Sequence, residues 1–177
     1  MRPWIQRSTI DALPFHRTKL LRIGHLMPDR VDAQTRSRIM SSIGSKNTVP
    51  ELMIRKGLHA RGFRYRLHSS NVPGKPDLML PRYNALIFVH GCFWHGHDCH
   101  LSGIPKTRTE FWTSKLERNR RRDTEVRNAL LKAGWRILVI WGCSLKGRQR
   151  LDLEDVLDQA AAWIRGKEQE YEIEGTR

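Results

Sequence analysis

Apolar positions along residues 52–60 recur at helical spacing: Leu52, Ile54, Leu58 and Ala60 form one face that runs up to Gly62. Thr48-Val49-Pro50-Glu51 reads as the start of that helix, with Thr48 as N-cap and a Pro and an acid in the first turn. Upstream, Ala33 to Met40 suits a short basic helix that stops near Gly44. Phe63 to Leu67 alternates apolar and basic residues, as an exposed or edge strand does. Pro73-Gly74 marks a turn. Asp77 to Leu80 and Ala85 to Val89 then read as consecutive strands, with Pro81 to Asn84 as the hairpin between them. Thr107 to Ala133 predicts a long helix ended by Gly134, Trp135 to Trp141 a buried strand, and Leu151 to Arg165 an amphipathic helix. The sum is an α/β fold in which helices flank a small mixed sheet, with no internal repeat.

Length fits one domain, residues 27–166, between two ends of different character. Residues 1–26 mix prolines, a glycine and scattered basic residues without periodicity and read as a flexible extension; Met27 is a candidate translation start. Residues 167–177 are expected to be a polar, frayed tail. No apolar run approaches a membrane span, and the basic N-terminus lacks the apolar core and cleavage site of a signal peptide. A cytoplasmic protein is the expectation.

Charge narrows the partner. A formal net charge of +14 raises self-repulsion in the compact state, and a phosphate backbone is the partner that most commonly offsets it, because Lys and Arg contacts release counterions. Arg118, Arg120, Arg121 and Arg122 cluster on the long helix, either as a solvated face or as phosphate contacts. Cys92, Cys99 and Cys143 cannot all pair within one chain, which argues for thiols used as ligands or core residues.

The chemistry concentrates in residues 73–100. Asp77 follows Pro76 at the head of a strand, and the next strand ends in Val89-His90-Gly91. This layout resembles the restriction-endonuclease-like superfamily, in which a Pro-Asp pair supplies a metal ligand and the neighbouring strand carries an acid and a lysine. Here Val89 and His90 stand at the acid and lysine positions. Phosphodiester hydrolysis needs an activated water, charge neutralisation and a stabilised leaving oxygen; a carboxylate holding Mg²⁺ supplies the latter two, and a histidine accepts the proton of the water. An Asp at a strand start also serves as an ordinary turn or cap residue. Cys92, His97 and Cys99 lie close together and Cys143 follows a later strand, a donor set that suits a closed structural Zn²⁺ site. Their spacing differs from a Cys-x₂-Cys knuckle, so zinc and unpaired core cysteines both stay open on the residues alone. Phe93-Trp94, in a Gly-flanked loop, is either a core pair or a wedge that unstacks a base step.

Together, Pro73-Gly74-Lys75-Pro76-Asp77, Ile87 to His95 and Thr107-Arg108-Thr109-Glu110-Phe111-Trp112 resemble the very-short-patch repair (Vsr) endonuclease family. Thr35-Arg36-Ser37, Gly134-Trp135-Arg136 and Trp141-Gly142-Cys143 fall in the same order, so the resemblance covers about residues 30–166. It implies a restriction-endonuclease-like (PD-(D/E)xK-type) fold with a structural zinc. The implied activity nicks one strand at a T:G mismatch left by deamination of 5-methylcytosine. On the resemblance, Asp77 and the Val89 carbonyl hold Mg²⁺, and His95 activates or positions the attacking water with Glu51 near it. His90 contacts the scissile phosphate or a water held by the metal, and Cys92, His97, Cys99 and Cys143 bind zinc. Phe93, Trp94 and Met40 wedge into the stack, whereas Trp112, four residues before Leu116, reads as core. Two departures are visible: Gly96 and Asp98 interrupt a longer histidine run, and Val89 replaces a common Thr. The expected partner is double-stranded DNA with a T:G mismatch, with mismatch-repair proteins and a repair polymerase as further partners and a monomer as the working form. Two other readings are a restriction-type nuclease of the same fold and a zinc-stabilised DNA-binding module without catalysis. The second leaves Asp77, Glu51, His90 and His95 as coincidence.

Overall fold

The computed structural model describes residues 32, 34, 35, 38, 44 and 46–176. The extension 1–26, Met27 and the proposed wedge residue Met40 lie outside the described residues. Of the short basic helix, Gln34, Thr35 and Arg38 are described and helical, and Asp32 accepts a hydrogen bond from the Thr35 N–H at 2.8 Å.

From there the order is α1 (Val49–Ala60), β1 (Arg66–Leu67), β2 (Leu78–Leu80), a 3₁₀ turn (Pro81–Tyr83) and β3 (Ala85–His90). It continues with α2 (Thr109–Lys132), β4 (Arg136–Trp141), α3 (Gly142–Leu145), α4 (Leu153–Arg165) and β5 (Glu170–Ile173). The sheet runs in sequence order, β1 to β5. The β1–β2 and β2–β3 pairs are antiparallel, and β3–β4 and β4–β5 are parallel. A mixed sheet flanked by helices is therefore the architecture.

Both faces of the sheet are covered, which is why the central strands read as unbroken apolar runs rather than alternating ones. Leu78, Leu80, Ala85, Ile87, Leu138 and Ile140 pack with Ile54 and Leu58 of α1 and Val156, Leu157 and Ile164 of α4. Met79, Leu86, Phe88 and Ile137 point the other way and meet Leu130 of α2. Two corrections concern the sequence expectations for the ends of the sheet. The alternation at Phe63 to Leu67 yields only a two-residue strand, because Phe63 turns into the core. The tail expected to fray after Gly166 instead adds β5, which pairs with β4 from Ile137↔Glu170 to Ile140↔Ile173. Its acids face outward while Ile173 is buried, so only one anchoring side chain showed in the pattern.

Candidate active site and metal centre

Asp77 enters the site because it directly precedes β2, beside the end of β3. The Val89 N–H donates to Asp77 Oδ2 at 2.7 Å. Burial pushes the Asp77 carboxyl up to about 6; the Val89 hydrogen bond opposes the rise and the neighbouring Glu51 adds to it. Glu51 arrives from α1, whose N-cap Thr48 accepts from the Glu51 N–H at 3.4 Å. Its buried carboxylate accepts from the Asn47 N–H at 2.7 Å and from Arg55 at 3.1 Å. The resemblance sets Glu51 near His95; in the fold it groups with Asp77 and with His68, whose Nε2 lies 3.2 Å from Glu51 Oε1.

On the α2 side of the sheet, His90 closes β3 and its ring stacks on His95, with centroids 3.7 Å apart and planes 2° from parallel. His95 Nδ1 meets Asp123 Oδ2 of α2 at 2.6 Å. Burial drives the His90 pKa down to about 3, and the adjacent His95 charge pushes the same way against Asp123. Burial alone would raise the Asp123 carboxyl, yet its hydrogen bond to His95 and the nearby positive groups hold it below the usual carboxylate value. Helix α2 also fixes the loop backbone: the Asn119 side chain donates to the Trp94 carbonyl at 2.8 Å, and Arg120 donates to the Gly96 carbonyl. Gly96 has φ +61°, and a Cβ there would run into the Arg120 guanidinium. All four arginines of the basic cluster are exposed, and Arg120 among them also braces the loop through Gly96.

The loop carries an aromatic group at its tip. Phe93 lies edge-on to Trp94 and to Trp112, with centroids at 5.1 and 5.3 Å. Trp112 is half-buried and not the core residue expected from its spacing to Leu116; α2 turns it toward the loop while Leu116 enters the interior. Lys115 sits over the Trp94 ring at 5.3 Å and Phe111 is exposed.

Behind the loop, donor atoms of Cys92, His97, Cys99 and Cys143 all lie within 4.8 Å of one another. The cysteines are unpaired. Burial and the facing thiols raise the Cys92 thiol; burial also raises Cys143, against a hydrogen bond from the Gly175 N–H. Three thiols turned toward one imidazole in a buried pocket fit a soft divalent cation. The tail closes this cluster: His97 Nε2 pairs with Glu174 at 2.9 Å, and the Gly175 N–H donates to Cys143 Sγ at 3.3 Å. A Cβ on Gly175 would fall 2.6 Å from the Cys143 carbonyl oxygen, so the tail docks there only as glycine.

Sequence reasoning missed His68, Asp123, Glu174 and the place of Trp112. His68 and Glu174 come from segments that looked peripheral. Asp123 had a faint signal, as an acid directly after Arg120-Arg121-Arg122 on a helix read for its positive charge.

The sequence model of the family described as DNA mismatch endonuclease Vsr matches residues 28–101. The chain is 43% identical over 134 residues to the type II nicking enzyme V.XorIIP of Xanthomonas oryzae pv. oryzae, covering 75% of this chain and 98% of that one. It is 39% identical over 141 residues to the DNA mismatch endonuclease Vsr of Escherichia coli strain K12, covering 80% and 90%. The type II nicking enzyme V.NmeAIP of Neisseria meningitidis shares 43% over 122 residues, covering 69% and 87%. With this likeness running nearly the full length of those relatives, the chain belongs to the Vsr DNA mismatch endonuclease family and is a DNA-cleaving hydrolase.

Proposed function

We propose that this endonuclease is Mg²⁺-dependent and nicks one strand of double-stranded DNA at a T:G mismatch arising from deaminated 5-methylcytosine. The observation that carries the reading is the juxtaposition of the His95–Asp123 pair, stacked on His90, with an aromatic group on the same loop. One short segment thus holds both a proton acceptor and a device for probing the base stack.

The donor set fits a hard divalent cation, since Asp77 and Glu51 offer carboxylates side by side and burial alone leaves Asp77 reluctant to ionise. Asp77 and the Val89 carbonyl are the proposed holders, and the cation supplies charge neutralisation at the phosphate and at the departing oxygen. His95 takes a proton from the attacking water at Nε2, because Nδ1 is engaged by Asp123. Asp123 keeps that ring oriented and stabilises the imidazolium that results. His90, held neutral by burial, contributes a hydrogen bond to the scissile phosphate and not a second positive charge. Phe93 and Trp94, backed by Trp112, wedge into a base step, which a mismatch resists less than a paired step. Cys92, His97, Cys99 and Cys143 hold a structural Zn²⁺ that ties the loop to the end of β4, on a restriction-endonuclease-like frame.

The reading is tested by Asp77→Ala, which is expected to abolish Mg²⁺-dependent nicking while mismatch binding largely persists. Undiminished nicking contradicts it. The second reading is a restriction-type nuclease of the same fold, and paired duplexes in the same assay separate the two.

A further inference from the structure

His68 had no part in the sequence reading, yet the fold carries it into the carboxylate end of the site. It follows the short edge strand β1, and its own N–H donates to the Asp77 backbone carbonyl at 3.4 Å. Its backbone sits at φ +46°, a region that residues other than glycine adopt only where the surroundings hold them. That conformation turns the ring inward, with its side chain 16% exposed against a Glu51 side chain 2% exposed.

The ring nitrogen facing the acids is not satisfied. Nε2 lies 3.2 Å from Glu51 Oε1, but the geometry is not that of a hydrogen bond, and this buried atom has no other partner. A buried polar atom without a hydrogen-bond partner needs a physical explanation, and a bound ion is one that the neighbouring carboxylates favour. Glu51, His68 and Asp77 each offer one donor atom, and the donors lie within 4.8 Å of one another. Two carboxylates and an imidazole converging at that spacing form one face of a divalent-cation coordination shell.

We propose that His68 is a direct imidazole ligand of a divalent cation shared with Glu51 and Asp77. This rests on the reading of Asp77 as a cation-binding residue and adds a nitrogen donor to it. The consequence is selectivity: an imidazole raises affinity for Mn²⁺ relative to Ca²⁺, which an all-oxygen site does not do to the same degree. The chain would then hold its cation before DNA arrives, because three side chains from α1, the segment after β1 and the head of β2 already converge.

The test uses Mn²⁺ as the probe on the full chain without DNA. Pulsed electron paramagnetic resonance of bound Mn²⁺ is expected to show ¹⁴N coupling from one coordinated imidazole. That coupling should vanish in His68→Gln and persist in His90→Gln, which separates the two rings. Calorimetric titration should show His68→Gln weakening Mn²⁺ by at least the ~10-fold that loss of an outer-shell partner costs, with a smaller loss for Ca²⁺. Mn²⁺ binding without ¹⁴N coupling in the parent protein overturns the His68 assignment and leaves Asp77 as a cation site. Coupling that disappears in His90→Gln overturns it as well. If the parent protein binds no Mn²⁺ at all, the pre-formed site is contradicted, and DNA-dependent nicking then decides separately on Asp77. The spectrum of the parent protein is decisive even where His68→Gln folds poorly.

Discussion

His95 lies flat on His90, with ring centroids 3.7 Å apart, while its Nδ1 meets Asp123 at 2.6 Å. Two stacked imidazoles cannot both hold a proton cheaply. Burial disfavours charge on His90, driving it down to about 3, while the Asp123 carboxylate faces His95. Proton transfer at His95 is the role we propose on this geometry. Asp123→Asn keeps the size of the side chain and removes the charge that stabilises the protonated ring. The expected result is a fall in single-turnover nicking within the ~10²–10⁴-fold range of general-base contributions, with DNA affinity little changed. A variant with parental rate would remove Asp123 from the account.

Asp77 predicts a conflict between stability and function. Its carboxyl has an ordinary value of 3.8 and stands at about 6 in the fold. Below about pH 4 it is protonated in both the folded and unfolded states and burial carries no charge penalty. As pH rises through 6 the folded state must bury a charge that the unfolded state holds in water, so this stabilising contribution of the protonated acid is lost. Asp77→Asn removes the penalty and should stabilise the chain by up to ~3 kcal/mol at pH 8 without added Mg²⁺. Near pH 4 the difference should disappear. Urea unfolding at the two pH values measures it, and a variant no more stable than the parent at pH 8 contradicts the burial argument.

Much of this was legible in the chain, and the gaps have physical causes. Strands buried on both faces, such as Ala85–His90, announce themselves as apolar runs, and the cap at Thr48 announces the helix that carries Glu51. Asp77, His90 and His95 lie in a compact segment whose residue types are rare together. His68 and Asp123 were not legible, because each acquires its role only when the fold brings it against a residue at least 17 positions away, as with Glu51 and His68. Strand β5 was hidden because an edge strand needs only one buried side chain, Ile173, and otherwise reads as a polar tail.

That hidden strand leads to a prediction about the metal centre. Glu174 engages His97 Nε2, which leaves Nδ1, 3.6 Å from Cys143 Sγ, as the atom available to the proposed zinc. A carboxylate behind a ligating histidine fixes its tautomer and raises its basicity. Glu174→Ala should weaken zinc retention ~10–100-fold against a chelator, and Gly175→Ala should act similarly by lifting the tail off Cys143. Cys143→Ser should lose the ion and the cooperative thermal transition together. Zinc content that is unaffected in Glu174→Ala would mean that the tail only covers the site.

The aromatic group predicts a separable defect. Phe93→Ala and Trp94→Ala leave Asp77, His90 and His95 in place, so residual chemistry should survive. Loss of one stacked ring should weaken mismatch binding by ~1–3 kcal/mol and flatten the preference for mismatched over paired duplex. Gel-shift competition between the two duplexes reads this directly. An unchanged preference would return Phe93 and Trp94 to the role of core packing.

The most direct measurement of the central claim is a strand-nicking assay with Mg²⁺ on labelled duplexes that differ at one position, carrying T:G, C:G or T:A. A nick is expected on the T-bearing strand of the T:G duplex, dependent on Mg²⁺ and absent in Asp77→Ala, with the paired duplexes left intact. Equal nicking of C:G and T:G duplexes, or nicking that persists without a divalent cation, would contradict it.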